Sequence, residues 1–594
     1  MATHRDDERT SLAEVLRHGD VDFHQQLQKV LSNPDFAVTE KHSQEQRRKN
    51  AYDQLRYLVK EIGGTRDVAT DLPKLFAVFD WSAVLATDMV PLISGHFNLA
   101  SGSLATLTDS DSAAPYLQDL DDGSSVGVML LTEYGCGSNI GSMQTTATWD
   151  GNGFVLNTPN PRARKFMPSV GVPVSRVCII GARLIDAAGT DHGVQMFTAR
   201  LRDANGDPAP GVTITQLDRQ PLVIMDNSII SFDNLRVEHN AWLSNDLATI
   251  DDKGALTWRD EDSRKRAFSS AISQLTVGRL ALSSALNSSA RAALYVALTY
   301  ATKRRVPLTP NDKPLMFDIP HVRDTLLTHL AGTIARTIYG NSVKTRLAGD
   351  DLTNRGPDVS VMFAKHFIQT HALETVTDCR LKMAAQGMFS ANRVPDYIGL
   401  CHAGITGEGD VHVLGAFAGR VRAKELSGTP APEPTLHDPA DPKDRARLLS
   451  ARTLTIAQEA QPSLGNPALE ARLEVIPDVL ELAEAYCADQ ALQLLDQHSH
   501  HPEIAAVRDV FALHQISKES TWYLTHGLLD IAAVKAVKQQ LRGGLLPQAI
   551  DKLADALPAL LDAFDFDDEI LGAPVLSDDL PAAWDSRCHN PRPH

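Results

Sequence analysis

The spacing of apolar residues changes along the chain and divides it. From Leu12 to about Val126 they recur mostly at helical intervals, as in Leu55, Leu58, Val59 and Ile62. Gly95-His96-Phe97-Asn98-Leu99 interrupts a very apolar part of this region. Between Val128 and about Leu247 the period shortens to that of strands. Thr145-Thr146-Ala147-Thr148-Trp149 and Phe154-Val155-Leu156-Asn157 flank Asp150-Gly151-Asn152-Gly153, which reads as a hairpin turn. Further strands are predicted at 177–184, 194–201, 212–217 and 228–237, separated by Asp/Gly/Pro-rich turns. A small antiparallel β-domain is expected. Helical spacing returns from about Asp262. Residues 266–303 contain no Pro and only Gly278, and Leu275, Leu280, Leu286 and Leu294 contribute to a wide apolar face suited to a helix inside a bundle. More helices are expected at 319–347, 358–386 and 411–426. The Pro- and Asp-rich stretch 427–444 predicts a linker. Residues 445–564 are again helical in pattern, most strongly at 483–495 and 517–537. The predicted domains are therefore 1–126, 127–260, 261–426 and 445–594.

Length and composition narrow the possibilities. A chain of 594 residues is too long for one core. Its 43% apolar and 22% charged content is that of an ordinary globular protein. A formal net charge of −17 argues against a nucleic-acid binder that relies on a broad basic surface. No run of about 18 apolar residues predicts a membrane span. The six cysteines form no Cys-x-x-Cys pair, which fits a reducing compartment and offers no metal framework. His498, His500 and His501 read as a solvated helix end rather than a metal site, so no metal is expected. The acidic start Met1-Ala2-Thr3-His4-Arg5-Asp6-Asp7-Glu8 and the absence of a C-terminal Ser-Lys-Leu-type address lead to an expected cytoplasmic location.

Two segments carry most of the chemistry. Leu131-Thr132-Glu133-Tyr134-Gly135-Cys136-Gly137-Ser138-Asn139 is a glycine-rich turn with hydroxyls, which lets backbone N–H groups approach a cofactor closely. Thr406-Gly407-Glu408-Gly409-Asp410 places a carboxylate on a tight turn, where it can be presented into a cleft. Tyr300-Ala301-Thr302-Lys303-Arg304-Arg305 ends the long helix in cations, a placement the helix dipole alone favours. The ordinary readings of these segments are a β-turn, a surface acid and a helix-end charge cluster.

Together the two segments and the order helical, β, helical, linker, helical resemble the acyl-CoA dehydrogenase/acyl-CoA oxidase superfamily. The fourth, C-terminal helical piece and a tail beginning Leu561-Asp562-Ala563-Phe564-Asp565-Phe566 resemble the oxidase branch, and the likeness spans about Leu75 to Gly572. It implies an α+β, mostly α fold: an N-terminal helical domain, a middle antiparallel β-domain, a helical bundle and an extra C-terminal helical domain. It also implies bound FAD, with Thr132, Gly137 and Ser138 along the isoalloxazine edge. Lys165-Phe166-Met167-Pro168-Ser169 falls where oxidases place a Lys-Trp-Trp-Pro-Gly segment against the flavin. Phe166 keeps an aromatic plane and Pro168 is retained, while both tryptophans are gone and Ser169 replaces a glycine. Tyr300 and Arg304 match a Tyr-x-x-x-Arg whose Arg meets the FAD pyrophosphate across a subunit interface. Gln386 and Gly387 fall at a Gly-Gly-x-Gly turn that accepts the adenine half of a neighbour's FAD, and only Gly387 survives near it.

The resemblance makes Glu408 the catalytic base that removes the α-proton of an acyl thioester. Gly407 replaces the family's aromatic, and Asp410 takes an acidic position seen in oxidases and is grouped with the cofactor-binding residues. Some relatives supply the base from the long helix, a route closed here because no Asp or Glu occurs between Asp262 and Asp312. The expected enzyme is an FAD-dependent acyl-CoA oxidase acting as at least a dimer, with acyl-CoA and O₂ as partners and a trans-2-enoyl thioester and hydrogen peroxide as products. A carrier-protein thioester, an electron-transfer flavoprotein as acceptor, or a catalytically silent scaffold are the alternatives.

Overall fold

The computed structural model describes residues 12–36, 42–218, 220–350, 357–538 and 543–589. The chain divides into two compact units. A β-containing unit comprises Gly19–Leu282 with Leu347–Asp358, and a helical unit comprises Met1–His18, Ser283–Arg346 and Val359–His594.

The β-containing unit opens with helices, among them α1 (Val21–Leu31), α2 (Gln44–Glu61), α3 (Leu72–Leu85) and α4 (Ser110–Asp121). Where the glycine was expected to interrupt a helix, Ser94–Gly102 instead runs as a π-helix. This wide turn packs on the first strand. A Cβ on Gly95 would lie 2.9 Å from the Gly127 carbonyl oxygen. The Gly127 N–H donates to His96 Nδ1 at 3.1 Å, so Nε2 holds the ring proton and faces Thr65 Oγ1 at 3.0 Å. Burial pushes the His96 pKa down to about 3, which keeps the ring neutral.

The strands are β1 (Val126–Leu130), β2 (Thr146–Trp149), β3 (Gly153–Asn157), β4 (Lys165–Ser169), β5 (Arg176–Ile185), β6 (Asp191–Arg202), β7 (Val212–Gln216), β8 (Asn227–Phe232) and β9 (Leu235–Glu238), followed by a short hairpin of β10 (Ala248–Ile250) and β11 (Leu256–Trp258). One sheet has the order β1-β5-β2-β3-β9 with β6 on β5, and another has β4-β8-β7. The sheet is mixed rather than antiparallel, because β1 and β2 both pair with β5 in parallel. The long excursion from β1 through the 131–139 loop and the β2–β3 hairpin gives the chain enough length to return in the same direction. Both faces of β5 are covered, Cys178 and Ile180 packing in one apolar cluster and Val177 and Ile179 in another, which is why Val177-Cys178-Ile179-Ile180 is a continuous buried run and not an alternation. The strand expected at 228–237 is two strands in different sheets. Asp233-Asn234 turns the chain between them, with Asn234 at φ +55°.

The long helix expected from Arg266 is also two, α5 (Glu261–Ala271) and α6 (Gln274–Lys303). The break falls in a serine-rich stretch where Ser269 Oγ donates to the Arg266 carbonyl at 2.9 Å and competes with the helix ladder. The boundary between the units lies within α6. The helical unit continues with α7 (Pro320–Ala348, its last residues counted with the other unit), α8 (Val359–Lys382), α9 (Val394–Thr406), α10 (Val411–Glu425), α11 (Pro442–Glu459), α12 (Ile476–Gln497), α13 (Pro502–Lys518) and α14 (Leu545–Asp562). Residues 429–441, within the predicted linker, have no helix or strand. The helix expected at 517–537 is interrupted after Thr525 by Gly527 at φ +66°. Among the described residues no helix is long and apolar enough to cross a membrane.

Candidate active site

In the helical unit, Glu408 occupies the joint between two helices. α9 stops at Thr406, with Gly407 as its C-cap, and Asp410 is the N-cap of α10. Glu408 itself has φ +58° and Gly409 φ +110°. A glutamate in the left-handed region costs about 1–2 kcal/mol relative to ordinary backbone, so the surrounding structure must impose it. Its Oε2 is shielded from solvent. The turn is held from beneath by Lys365 of α8, which is fully buried. Its ammonium donates to the carbonyl oxygens of Gly407 (2.5 Å) and Gly404 (3.2 Å) and to Gln369 Oε1 (3.3 Å). Gly404 is pressed onto α6, where a Cβ would lie 2.4 Å from Leu286 Cδ1. Asp410 Oδ1 accepts the backbone N–H groups of His412 (2.8 Å) and Val413 (3.2 Å). That carboxylate has a capping job, which the sequence reading had grouped with cofactor binding.

In the β-containing unit, the 131–139 loop leaves β1 and is braced against β4. The Tyr134 and Gly135 N–H groups donate to the carbonyls of Arg164 (2.9 Å) and Arg162 (2.8 Å), and the Phe166 N–H donates to the half-buried Thr132 carbonyl at 2.9 Å. Gly137 and Ser138 are exposed, and a Cβ on Gly137 would meet nothing within 4 Å. The pairing of β4 with β8 shifts register between Phe166 and Ser169. Met167 sits in this bulge at φ +72° and is 45% exposed. The Phe166 and Tyr134 rings lie 4.7 Å apart at 56°. Pro168 is buried, and the Ser169 carbonyl accepts from Arg176 Nε at 3.4 Å. Arg176 is itself buried over the Tyr52 ring at 4.4 Å and beside Asp226 at 3.6 Å. Exposed hydroxyl and backbone groups beside an aromatic pair on a bulged strand suit a flat heteroaromatic ring with polar edges.

Beneath this loop lies a pair that sequence reasoning left unassigned. Glu133 and Lys165 are both buried, with Lys165 Nζ 3.2 Å from Glu133 Oε1. Glu133 also accepts from the Gln144 N–H (2.8 Å), the Thr145 N–H (2.9 Å) and Thr145 Oγ1 (2.6 Å). Burial pushes the Lys165 pKa down to about 8, against the pull of Glu133. Burial, followed by the Glu133 charge, raises the neighbouring Cys136 thiol. A lysine opening an apolar strand and an acid inside a glycine-rich loop were the available signals. Lys365, within Phe363-Ala364-Lys365-His366-Phe367, was signalled in the same way.

The remaining predicted residues belong to the helical unit. Arg304 is exposed just beyond α6, and its guanidinium contacts the Tyr300 hydroxyl and lies 5.4 Å from that ring's centroid. The predicted pair Tyr300/Arg304 is thus together. Gln386 Oε1 accepts from Asn392 Nδ2 (3.2 Å) and Trp584 Nε1 (3.1 Å). Gly387 is buried, and a Cβ there would lie 2.4 Å from the Arg380 carbonyl oxygen, so close packing alone requires the glycine. His498, His500 and His501 follow the end of α12. A cavity of about 1100 Å³ in this unit is lined by Arg336, His371, Glu484 and His514 among others, and by none of the predicted site residues.

Residues 272–422 match the family model described as acyl-CoA oxidase, C-alpha1 domain. Acyl-coenzyme A oxidase 3, peroxisomal, of Arabidopsis thaliana is 28% identical over 400 residues, 65% of this chain and 58% of that protein. The match thus spans under two thirds of that relative's length. Acyl-coenzyme A oxidase 2 of Yarrowia lipolytica is 24% identical over 509 residues, 76% of this chain and 70% of its own. Among solved structures, acyl-CoA oxidase 1 of Yarrowia lipolytica superposes with a TM-score of 0.84 at 19% identity, covering 98% of this chain and 92% of that one. Acyl-CoA oxidase-2 of Caenorhabditis elegans, bound with FAD, ascaroside-CoA and ATP, gives 0.81 at 16% identity over 99% and 96%. The resemblance read from the motifs is borne out, and the fold is that of the acyl-CoA oxidases.

Proposed function

Starting from that fold and family, we propose that this chain is an FAD-dependent enzyme that desaturates an acyl-CoA thioester between its α and β carbons, with O₂ as electron acceptor. The observation that carries the reading is the turn at Glu408, a carboxylate imposed in a left-handed conformation within the segment that matches the C-alpha1 domain. Glu408 is the base. It takes the α-proton of the thioester onto a carboxylate oxygen, which requires that proton to be acidified by a polarised thioester carbonyl. FAD, when bound, supplies the acceptor for the β-hydride and is reoxidised by O₂ to give hydrogen peroxide. Thr132, Gly137 and Ser138 would hold its ring edge, with Phe166, Pro168 and Ser169 along the ring. Arg304, with the Gln386-Gly387 turn, would hold the pyrophosphate and adenine of a partner subunit's cofactor in a homodimer. The exposed guanidinium of Arg304 supports this reading, and light scattering of the FAD-loaded protein tests it.

Glycine at 407 in place of an aromatic favours a pocket of different shape, and so a bulkier or specialised acyl group. The six cysteines, none in a disulfide, support a cytoplasmic location as part of this proposal, although the Arabidopsis relative is named as peroxisomal. Cell fractionation tests that part.

The decisive experiment is anaerobic flavin reduction by a panel of acyl-CoAs. Glu408→Gln is expected to slow reduction about 10³–10⁴-fold while FAD stays bound, because the amide keeps the shape but cannot accept the proton. Retention of most of the rate by Glu408→Gln, with loss in Asp410→Asn, would move the base to Asp410. Protein that shows no absorbance near 450 nm after FAD is added would remove the reading altogether.

A further inference from the structure

We propose that Lys365 is a positioning residue: its buried ammonium caps α9 at Gly404 and Gly407 and thereby delivers Glu408 into the conformation from which it acts. The inference rests on the reading of Glu408 as the base. A helix leaves its last carbonyls without N–H partners, and in a continuing α9 the Gly404 carbonyl would take the N–H of residue 408. That carbonyl accepts the Lys365 ammonium at 3.2 Å, and the Gly407 carbonyl accepts it at 2.5 Å. The third acceptor is Gln369 Oε1 at 3.3 Å, and Gln369 is tied in turn to Ser283 Oγ at 3.1 Å. The cation also meets the negative end of the α9 dipole.

A methionine or leucine would fill the same space without the cost of burying a charge, so packing does not explain a fully buried lysine here. What the ammonium adds is a fixed end to α9 just ahead of Glu408. α6 presses the same last turn from another side at Gly404, so the joint is held by both helices. Glu408 then has one backbone geometry, with φ at +58°.

The test uses the full chain loaded with FAD, comparing wild type with Lys365→Met, which is neutral and of similar length. Two readouts are taken: amide hydrogen exchange over residues 404–411, and anaerobic flavin reduction by an acyl-CoA per bound flavin. Exchange over 404–411 is expected to rise about tenfold or more with other segments unchanged. Reduction is expected to slow about 10–100-fold with little change in KM, the scale of a misplaced catalytic group. A lower melting temperature with wild-type exchange at 404–411 and a wild-type reduction rate would overturn the proposal. If Lys365→Met does not fold, Gln369→Ala decides, since it removes one acceptor and loosens the ammonium. Faster exchange confined to 404–411 supports the inference, and unchanged exchange overturns it. Should wild-type FAD complex not be reduced by any acyl-CoA, the reading of Glu408 fails, while the exchange data still decide whether Lys365 holds the turn.

Discussion

The loop at 131–139 and the turn at 407–410 are each braced by a lysine with no solvent exposure, yet the two are solvated differently. Lys165 faces a carboxylate, Glu133, with the Leu131 carbonyl at 3.3 Å and Met143 Sδ at 3.7 Å. Lys365 donates to two backbone carbonyls at a helix end and to an amide oxygen. In the first case two opposite charges neutralise each other, and removing either strands the other in a dry site. In the second, the Gly404 and Gly407 carbonyls that end a helix are among the acceptors, and removing the cation takes that cap away. The ion pair ties two segments of chain together, whereas the cap sets where one segment stops. Burial of a charge therefore says little until the nature of its partner is known.

The largest effect should come from breaking the ion pair. Lys165→Met is expected to cost about 3–5 kcal/mol in urea unfolding, because Glu133 is left charged and unpaired. Adding Glu133→Gln should recover part of that loss, since the stranded charge is gone and the amide oxygen still accepts from Thr145, while its NH2 then faces the Gln144 N–H. Lys365→Met should cost less, about 1–3 kcal/mol, the scale of unsatisfied carbonyls. Equal costs for the two lysines would show that the stranded Glu133 charge does not make Lys165 the costlier to replace.

A buried base sharpens the contrast next. His96 in the β-containing unit is neutral in the fold, with its pKa at about 3 instead of its ordinary 6.5. Between those values the unfolded chain binds a proton that the folded chain refuses, so stability falls as pH drops from 6.5 toward 3. The loss should reach about 3 kcal/mol by pH 4. His96→Gln should flatten that acid limb for amides of the β-containing unit and leave the helical unit's limb as it was. Hydrogen exchange read separately over the two units checks this.

The smallest effect is expected at Asp410. As an N-cap it should cost about 1 kcal/mol when replaced by alanine, with FAD affinity unchanged. A fall in FAD affinity at wild-type stability would return Asp410 to the cofactor-binding role that the family resemblance implied.

Much of this was legible in the chain because periodicity and turn chemistry are local. The hairpin at 150–153, the boundaries of α7 and α10 and the placement of Glu408 between two glycines all follow from neighbours in sequence. The parallel pairing of β1 and β2 with β5 was not legible, because pairing direction depends on partners far along the chain. The break between α5 and α6 was missed because an apolar stripe continues across it while serine hydroxyls compete for the backbone. Lys165, Glu133 and Lys365 were passed over for a related reason. A charge in an apolar run looks like a solvated face until its partner, 32 residues away for Lys165 and 39 and 42 for Lys365, is placed beside it.

The π-helix at Ser94–Gly102 leaves a trace that can be followed through descent. Gly95 and Ala100 both face Gly127: a Cβ on Gly127 would lie 2.5 Å from that of Ala100, and one on Gly95 would lie 2.9 Å from the Gly127 oxygen. Two small residues five apart on one face mark the i→i+5 ladder, where an ordinary helix would place them three or four apart. A homologue that keeps the strand but has an ordinary helix here should be one residue shorter between positions 93 and 103, with its small residues four apart. A gap opened inside this helix, rather than in a loop, is the expected mark of the extra residue in such an alignment.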